Sequence, residues 1–458
     1  MLQMLTSFYS EEHGHPIFTL PMLTGRTYIV ASPELSSAVQ RAPSSLDLDP
    51  IFSEMAPRMA VLNQRTSSIL RDPTGGQEGE PSVYKQAHSI ITSQTLTGAS
   101  QTQLDFLGQL IDDIEDDCEM DLFRLVRQKI CDASNRTFYG PRNPFKKYPD
   151  LLDSFWDWEN DIVSLMMGFF PSITARKAYQ GLMTCSKAFA EYIEAGGYQE
   201  AHKFVQGRND LHLRHGITDT MERAKLEVVI GMAINVNASI TTFWLLSNVF
   251  SRPELLSRLR EEVCENALID PGVLSSERLR QSCPRLNSVY REILRLYAPM
   301  ITVRWVAADT LLADTYLVRE GNIVQVPGSV LHQDKALWGP DVESFNPDRF
   351  LYSINGSKTN PDGDVPENKA HALHPATFRS FGGGKSMCPG RHFAQAEILS
   401  LSAVLLLGFD MTPTNGTSWN PPPDTKRTPI SVMKPLKELK VKLQRRKEFE
   451  GIKWKLQL

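Results

Sequence analysis

At 458 residues the chain is long enough for two or three average domains or one large one, with a sizeable core either way. Its 49 basic and 53 acidic residues leave a formal charge of −4, which removes the electrostatic reason to expect nucleic acid, and a composition 41% hydrophobic and 22% charged is that of a soluble globular protein. Six cysteines without a CxxC pair exclude a zinc ribbon, are too sparse for a disulfide scaffold, and fit a reducing compartment.

In chain order, the first thirty residues lack the basic start and apolar run of a signal peptide. Glu11 and Glu12 interrupt them, no N-terminal membrane span is expected, and the protein reads as cytoplasmic. RDPTGGQEGEPS, from Arg71 to Ser82, predicts a loop. Leu104 to Ile114 carries apolar residues at helical spacing, and the acidic run DDIEDDCEMD that follows reads as a solvated helix end. Val228 to Phe250 has no charged residue across 23 positions, long enough to cross a bilayer. Seven of those positions are polar (Asn235, Asn237, Ser239, Thr241, Thr242, Ser247, Asn248), costly against lipid, so the stretch predicts a buried central helix. Pro253, at the favoured first-turn position, opens the helix PELLSRLREEVCENAL. Tyr316 to Pro327 holds short β-like runs; Ser353–Lys369 and Asn420–Asp424 are turn-rich loops. Leu439, Val441 and Leu443 alternate with Lys440 and Lys442 as in a strand, and the basic cluster Lys434, Lys437, Lys440, Lys442, Arg445, Arg446 and Lys447 reads as its wet face and tail. The sum is a mainly α chain with small β-sheets and no βαβ repeat, taken as a single domain over 1–458.

One turn concentrates the chemistry. FGGGKSMCPG, from Phe381 to Gly390, crowds four glycines and a proline around Cys388, just before an apolar helix. Gly382, Gly383, Gly384 and Gly390 permit positive φ and clear space beside the sulfur, and Pro389 suits a first helical turn. Free amides at a helix N-terminus favour thiolate over thiol, and a thiolate there is a metal ligand or a nucleophile. A nucleophile needs a base; His371, His374 and His392 are near in sequence, but no Cys protease pattern surrounds Cys388. A zinc site needs more ligands than the turn supplies. A single thiolate on a glycine-cleared surface suits a planar porphyrin. The bland reading is a buried, inert cysteine.

Phe381, Gly384, Cys388, Gly390 and Ala394 resemble the haem-binding signature of the cytochrome P-450 superfamily. SVYREILRLYAP resembles its E-x-x-R helix through Glu292 and Arg295, and FNPDRF resembles its P-E-R-F segment and supplies Arg349. Three apart on a helix, Glu292 and Arg295 can meet, and Arg349 can share the carboxylate. The resemblance runs from HGHPIFTL to the last strand, with the family's usual N-terminal membrane anchor absent ahead of it. It implies the P-450 fold, with haem b between the long central helix and the helix after the cysteine turn. Cys388 is then the iron ligand; Phe381, Gly384, Gly390, Arg304, Glu292, Arg295 and Arg349 form the haem environment, with Arg304 of APMITVRW on a propionate. The basic residue often found two before the cysteine is Ser386 here, and Lys385 is its neighbour.

The family's central helix carries an acid and a threonine over the haem; GMAINVNASITTFW has no acid. Asn237 is placed at the threonine position and Val236 at the acid position, with Asn235, Ser239 and Thr241 as other candidates. The bland alternative is that these asparagines bond the backbone of neighbouring helices. Such a helix and C-P-G-R resemble the branch with bile-acid sterol hydroxylases and prostacyclin synthase. The expectation is a monomeric haem-thiolate monooxygenase inserting one oxygen atom of O2 into a bulky apolar terpenoid, steroid or other secondary metabolite. Electrons come from NADPH through a flavoprotein reductase, with peripheral contact on the cytoplasmic face of the endoplasmic reticulum. The alternative is a haem-thiolate isomerase or dehydratase acting on a peroxide without a reductase. Met300 to Val303, the central helix and Thr428 to Met433 are expected to line the pocket, with Leu48 to Ser82 as a capping loop.

Overall fold

A computed structural model describes residues 14–22, 25–42, 44–74, 80–351, 374–414, 416–425 and 432–458. The 353–369 loop, His371 and most of 428–433 lie outside them.

The first helices are α1 (Pro33–Arg41), α2 (Asp49–Met59) and α3 (Gln64–Arg71). The last two correct the expectation of a capping loop over 48–82. Asn63 caps α3 by accepting from the Thr66 amide at 2.8 Å, and Pro50 fits the first turn of α2. Next come α4 (Val83–Ile90), α5 (Ser93–Asp112), α6 (Leu122–Tyr139), α7 (Leu151–Asn160) and α8 (Arg176–Glu194). They lead to the 31-residue α9 (Thr220–Phe250), capped by Asp219. Helix α9 packs on α6, α8, α11 (Pro284–Tyr297) and the last helix, α12 (Arg391–Gly408); α10 (Pro253–Asn266) opens at its proline as expected.

The polar residues of α9 explain how its uncharged stretch from Val228 to Phe250, long enough to span a membrane, sits in a protein core. Ser239, Thr241 and Asn248 donate to the carbonyls of Asn235, Asn237 and Trp244 at 2.7, 2.8 and 3.0 Å. These three bonds stay within the helix, so burial leaves those donors satisfied. Trp244 stacks on Tyr297 of α11 with centroids 4.0 Å apart and donates to the Met433 carbonyl at 2.7 Å.

A five-stranded sheet lies at the N-terminal side, in the order β1 (Ile17–Pro21), β2 (Arg26–Val30), β6 (Ile323–Pro327), β5 (Ile301–Val306), β3 (Leu46–Asp47), where only the β2–β6 pairing is parallel. Along β5, Thr302, Arg304 and Val306 alternate inward, so strand period places Arg304 in the interior.

A second sheet corrects the acidic run. Helix α5 ends at Asp112, Asp117 turns the chain at φ 52°, and β4 (Cys118–Asp121) pairs antiparallel with β8 (Lys440–Arg445), itself paired with β7 (Phe409–Pro413). Asp117 meets Lys442 at 2.6 Å, and Asp121 caps α6 while accepting from the Leu439 amide at 3.0 Å. The acids answer a basic strand more than 300 residues away, a pairing that local pattern does not reveal. Lys434 departs from the wet-face reading: it is half-buried, ion-paired to Glu159 at the end of α7 and bonded to Asn160 at 2.8 Å.

Candidate active site

The cysteine turn is closed by its own backbone. The Cys388 amide donates to the Phe381 carbonyl at 2.9 Å, and the Met387 amide to Gly384 at 3.2 Å around one 3-10 turn. Gly382 and Gly384 adopt φ of 74° and 62°, the left-handed region that glycine permits. Gly390 is different. Its φ is −82°, and a Cβ there would meet only the Cys388 Sγ and Leu96 Cδ1, each at 3.9 Å. Neither strain nor crowding by the chain demands glycine; its bare Cα keeps the flank of the sulfur open.

Cys388 is open to solvent, yet burial pushes its thiol up, with the Gly390 amide and Arg391 pulling weakly the other way. The residue is thus exposed while the surrounding turn partly desolvates its sulfur. The expected preference for thiolate is therefore not intrinsic to the turn: desolvation outweighs the amide. An anionic sulfur here calls for a cation as its partner. Among the described residues no group of three or more His, Cys, Asp or Glu side chains is placed to hold a metal ion, and no histidine hydrogen-bonds the sulfur. The donor set is one sulfur, which fits an iron whose other ligands come with it and does not fit zinc.

Behind the turn lies the Glu292 network. Its carboxylate accepts from Arg295 Nε and Nη2, both at 2.8 Å, from Arg349 Nε at 3.1 Å and from the Asn346 amide at 3.0 Å. Arg295 also donates to the His332 carbonyl at 2.8 Å. The Glu292 and Arg295 side chains are fully buried. With their bonds spent on one another they offer no surface to a ligand, which corrects their placement, and that of Arg349, among cofactor contacts. They reach the turn through intermediaries. His332 Nε2 accepts from the Arg379 amide at 2.9 Å while Nδ1 faces the Arg295 carbonyl at 3.0 Å, fixing the proton on Nδ1; burial holds this ring neutral, its pKa lowered to about 3. Ser380 donates to the Leu294 carbonyl at 3.1 Å.

On the other flank, Arg304 donates to Ser386 Oγ, at the position where the family's basic residue is missing, and to the Val303 carbonyl at 2.7 Å. Arg379, which sequence reasoning passed over, is only 1% exposed. Its pKa is lowered to about 10, by burial first and then by the positive charge of Arg304. Among the described residues neither arginine pairs with a carboxylate. Two buried cations without acids also fit a porphyrin, which carries two carboxylates. The available signal was a lone charge in the apolar stretch ahead of Phe381.

The asparagines divide. Asn235 is fully buried and its amide pairs with that of Asn135 on α6 at 3.3 Å, a helix-to-helix contact that takes it out of the candidate catalytic set. Asn237 is half-buried, and its Oδ1 has no partner. One turn earlier on the same face, Ala233 is exposed in the middle of the helix. Val236, at the expected acid position, is buried in the core.

The family model described as Cytochrome P-450 matches residues 101–443. The chain is 29% identical to cytochrome P-450 monooxygenase nodJ of Hypoxylon pulicicidum over 97% of its own length and 86% of the relative's. It is 27% identical to a cytochrome P-450 monooxygenase of Gibberella zeae over 97% and 85%. To cholesterol 7-alpha-monooxygenase of Cricetulus griseus it is 28% identical over 60% and 56%.

Proposed function

The chain belongs to the cytochrome P-450 family, an oxidoreductase family with haem on a cysteine thiolate, and from that premise we propose that Cys388 is the iron ligand of a monooxygenase. It inserts one oxygen atom of O2 into a bulky apolar substrate, a terpenoid, steroid or other secondary metabolite, with electrons from NADPH through a flavoprotein reductase. The observation that carries this reading is the solitary sulfur whose flank Gly390 keeps open. Thiolate-bound haem supplies electron density that favours O–O cleavage.

The rest is the work of this chain's residues. The Phe381 carbonyl and Gly390 amide orient the sulfur. The Glu292 network and His332 hold the turn against α11. Asn237, with an unpartnered carbonyl oxygen, holds a water or a substrate hydroxyl; an amide does not titrate. With no acid between Val228 and Phe250, protons reach this face through water rather than from a helix carboxylate.

The missing acid also supports the second reading, an isomerase or dehydratase that rearranges a peroxide without outside electrons. A reduced carbon monoxide difference spectrum tests the shared core: a strongly red-shifted Soret band is expected, and lost in Cys388→Ala. No such band in haem-loaded parent protein refutes it. Turnover that needs NADPH and a reductase selects the first reading, and turnover of a peroxide without them the second. Peripheral membrane placement is supported by Met167, Phe169, Phe170 and Ile173, which stand 63–76% exposed between α7 and α8. Binding to liposomes, abolished by Phe169→Ser with Phe170→Ser, checks it.

A further inference from the structure

The two arginines at the turn are in an unfavourable position as they stand. Arg379 has a fully buried Nε without a partner. Its terminal nitrogens meet the Gln40 side-chain oxygen, in the amide orientation that satisfies both groups, Nη2 at 2.9 Å. Arg304 is spent on a hydroxyl and a carbonyl. An amide, a hydroxyl and a carbonyl satisfy donors but do not cancel charge, and an unneutralised buried cation is costly. Asp47, the carboxylate that acts on Arg304 through space, is committed elsewhere, holding Lys85 at 2.8 Å.

Both guanidiniums lie against the cysteine turn. Arg304 touches Ser386, two residues before the cysteine. Arg379 lies so close to Gly383 that a Cβ there would strike its Nη1 and the Gln40 amide. The backbone at Gly383 is extended, so a side chain there would be opposed not by strain but by the ends of the Arg379 and Gln40 side chains, which would have to move. The turn packs against a buried charge that no carboxylate neutralises among the described residues.

On the reading of Cys388 as the haem ligand, we propose that Arg379, together with Arg304, anchors the propionate carboxylates of haem b, replacing the basic residue that Ser386 lacks. Arginine suits the role because its planar fork binds a carboxylate through paired charge-assisted hydrogen bonds. Gln40 holds the guanidinium in place until the carboxylate arrives.

The test compares haem with its dimethyl ester, whose propionates are uncharged, in haem-free full-length protein and in Arg379→Leu and Arg379→Gln. Transfer to excess apomyoglobin reads the release rate. Parent protein is expected to lose the ester about 10–100-fold faster than haem, the range for a hydrogen-bonded charge. Arg379→Leu is expected to lose haem faster by a similar factor and the ester at the parent's rate, while its reduced carbon monoxide band keeps the thiolate position. Haem-free Arg379→Leu should melt no lower than haem-free parent, since the substitution removes an uncompensated cation. Should the leucine variant not fold, the acid–ester comparison in parent and Arg379→Gln carries the test. Equal release of haem from parent and variant overturns the assignment, as does faster release of haem and ester alike. A parent that takes up no haem refutes the haem-thiolate reading itself, and this assignment with it.

Discussion

Glu292→Gln is the sharpest test of the idea that the network behind the turn is a positioning device. The carboxylate accepts from two nitrogens of Arg295, from Arg349 and from the Asn346 amide, and its side chain is fully buried with that of Arg295. Glutamine keeps the shape but has one acceptor oxygen, and its NH2 would face guanidinium donors. Removing one member of a buried ion pair costs about 3–5 kcal/mol, because the partner charge is left uncompensated. Against a total stability of about 5–15 kcal/mol, such a protein folds in the cold and fails near body temperature. Arg349→Met is milder, about 1–3 kcal/mol, because Arg295 still neutralises Glu292. The assay is urea unfolding at low temperature beside the haem-to-protein ratio on purification. Glu292→Gln is expected to lower the urea midpoint most and to lose haem, since His332 and Ser380 transmit the network to the turn. If it stays within about 1 kcal/mol of the parent, or costs less than Arg349→Met, the reasoning is wrong.

Gly390→Ala should leave stability within about 0.5 kcal/mol, since its φ and surroundings accept a methyl group. Haem content and the carbon monoxide band should fall, and unchanged haem loading would show that the cleared flank is incidental. Asn235→Ala should cost about 1–2 kcal/mol in unfolding with turnover per haem unchanged, whereas Asn237→Ala should change turnover with little loss of stability; the reverse would restore Asn235 to the site. Stability should depend on pH with two opposed slopes. His212 and His332, both lowered to about 3 by burial, bind a proton in the unfolded chain first. Each therefore removes about 1.4 kcal/mol per unit as pH falls from the ordinary histidine value of about 6.5 toward 3. Glu397, raised to about 8 by burial, keeps its proton in the folded state, and its contribution is lost as pH rises from about 4.5 to 8. Glu397→Gln should flatten that second decline in a denaturant series from pH 5 to 8, and an unaltered profile would refute the assignment.

Much of the helical frame was legible because helices are local. The polar but uncharged run of α9 and the proline that opens α10 carry their own boundary signals. The sheets were legible only where alternation is strong, as in β8. The acidic β4 was not, since its pattern becomes strand-like only opposite Lys440 and Lys442, which a reading along the chain never brings together. Likewise Lys434 sits in a basic cluster by sequence and against Glu159 in space. Near the turn, the meeting of Glu292 with Arg295 and Arg349 was legible because spacing carries that geometry, though not its place behind the turn rather than on a ligand. Asn235 and Asn237 are two residues apart on one helix, about 200° around it at 3.6 residues per turn, and only the packing of α6 shows which of them is taken up as a contact.

Arg379 was missed for a deeper reason. A buried cation in an apolar run looks like an error unless its counter-charge is part of the sequence. The turn repeats that incompleteness twice with opposite sign. Burial raises the pKa of its sulfur despite the nearby Arg391, and its arginines weigh on each other with no carboxylate paired to either among the described residues. Neither defect would be relieved by any rearrangement of the other, since Arg304 and Arg379 are committed to Ser386 and Gln40 rather than to the sulfur. A single flat ligand with a cationic centre and acidic groups on one edge relieves both together. It follows that the two halves should be energetically coupled: the haem-affinity losses of Cys388→Ser and Arg379→Leu should not add, since a haem no longer fixed by iron is free to shift its carboxylates. A double-mutant cycle on haem release giving strict additivity would mean that sulfur and arginine serve separate ends.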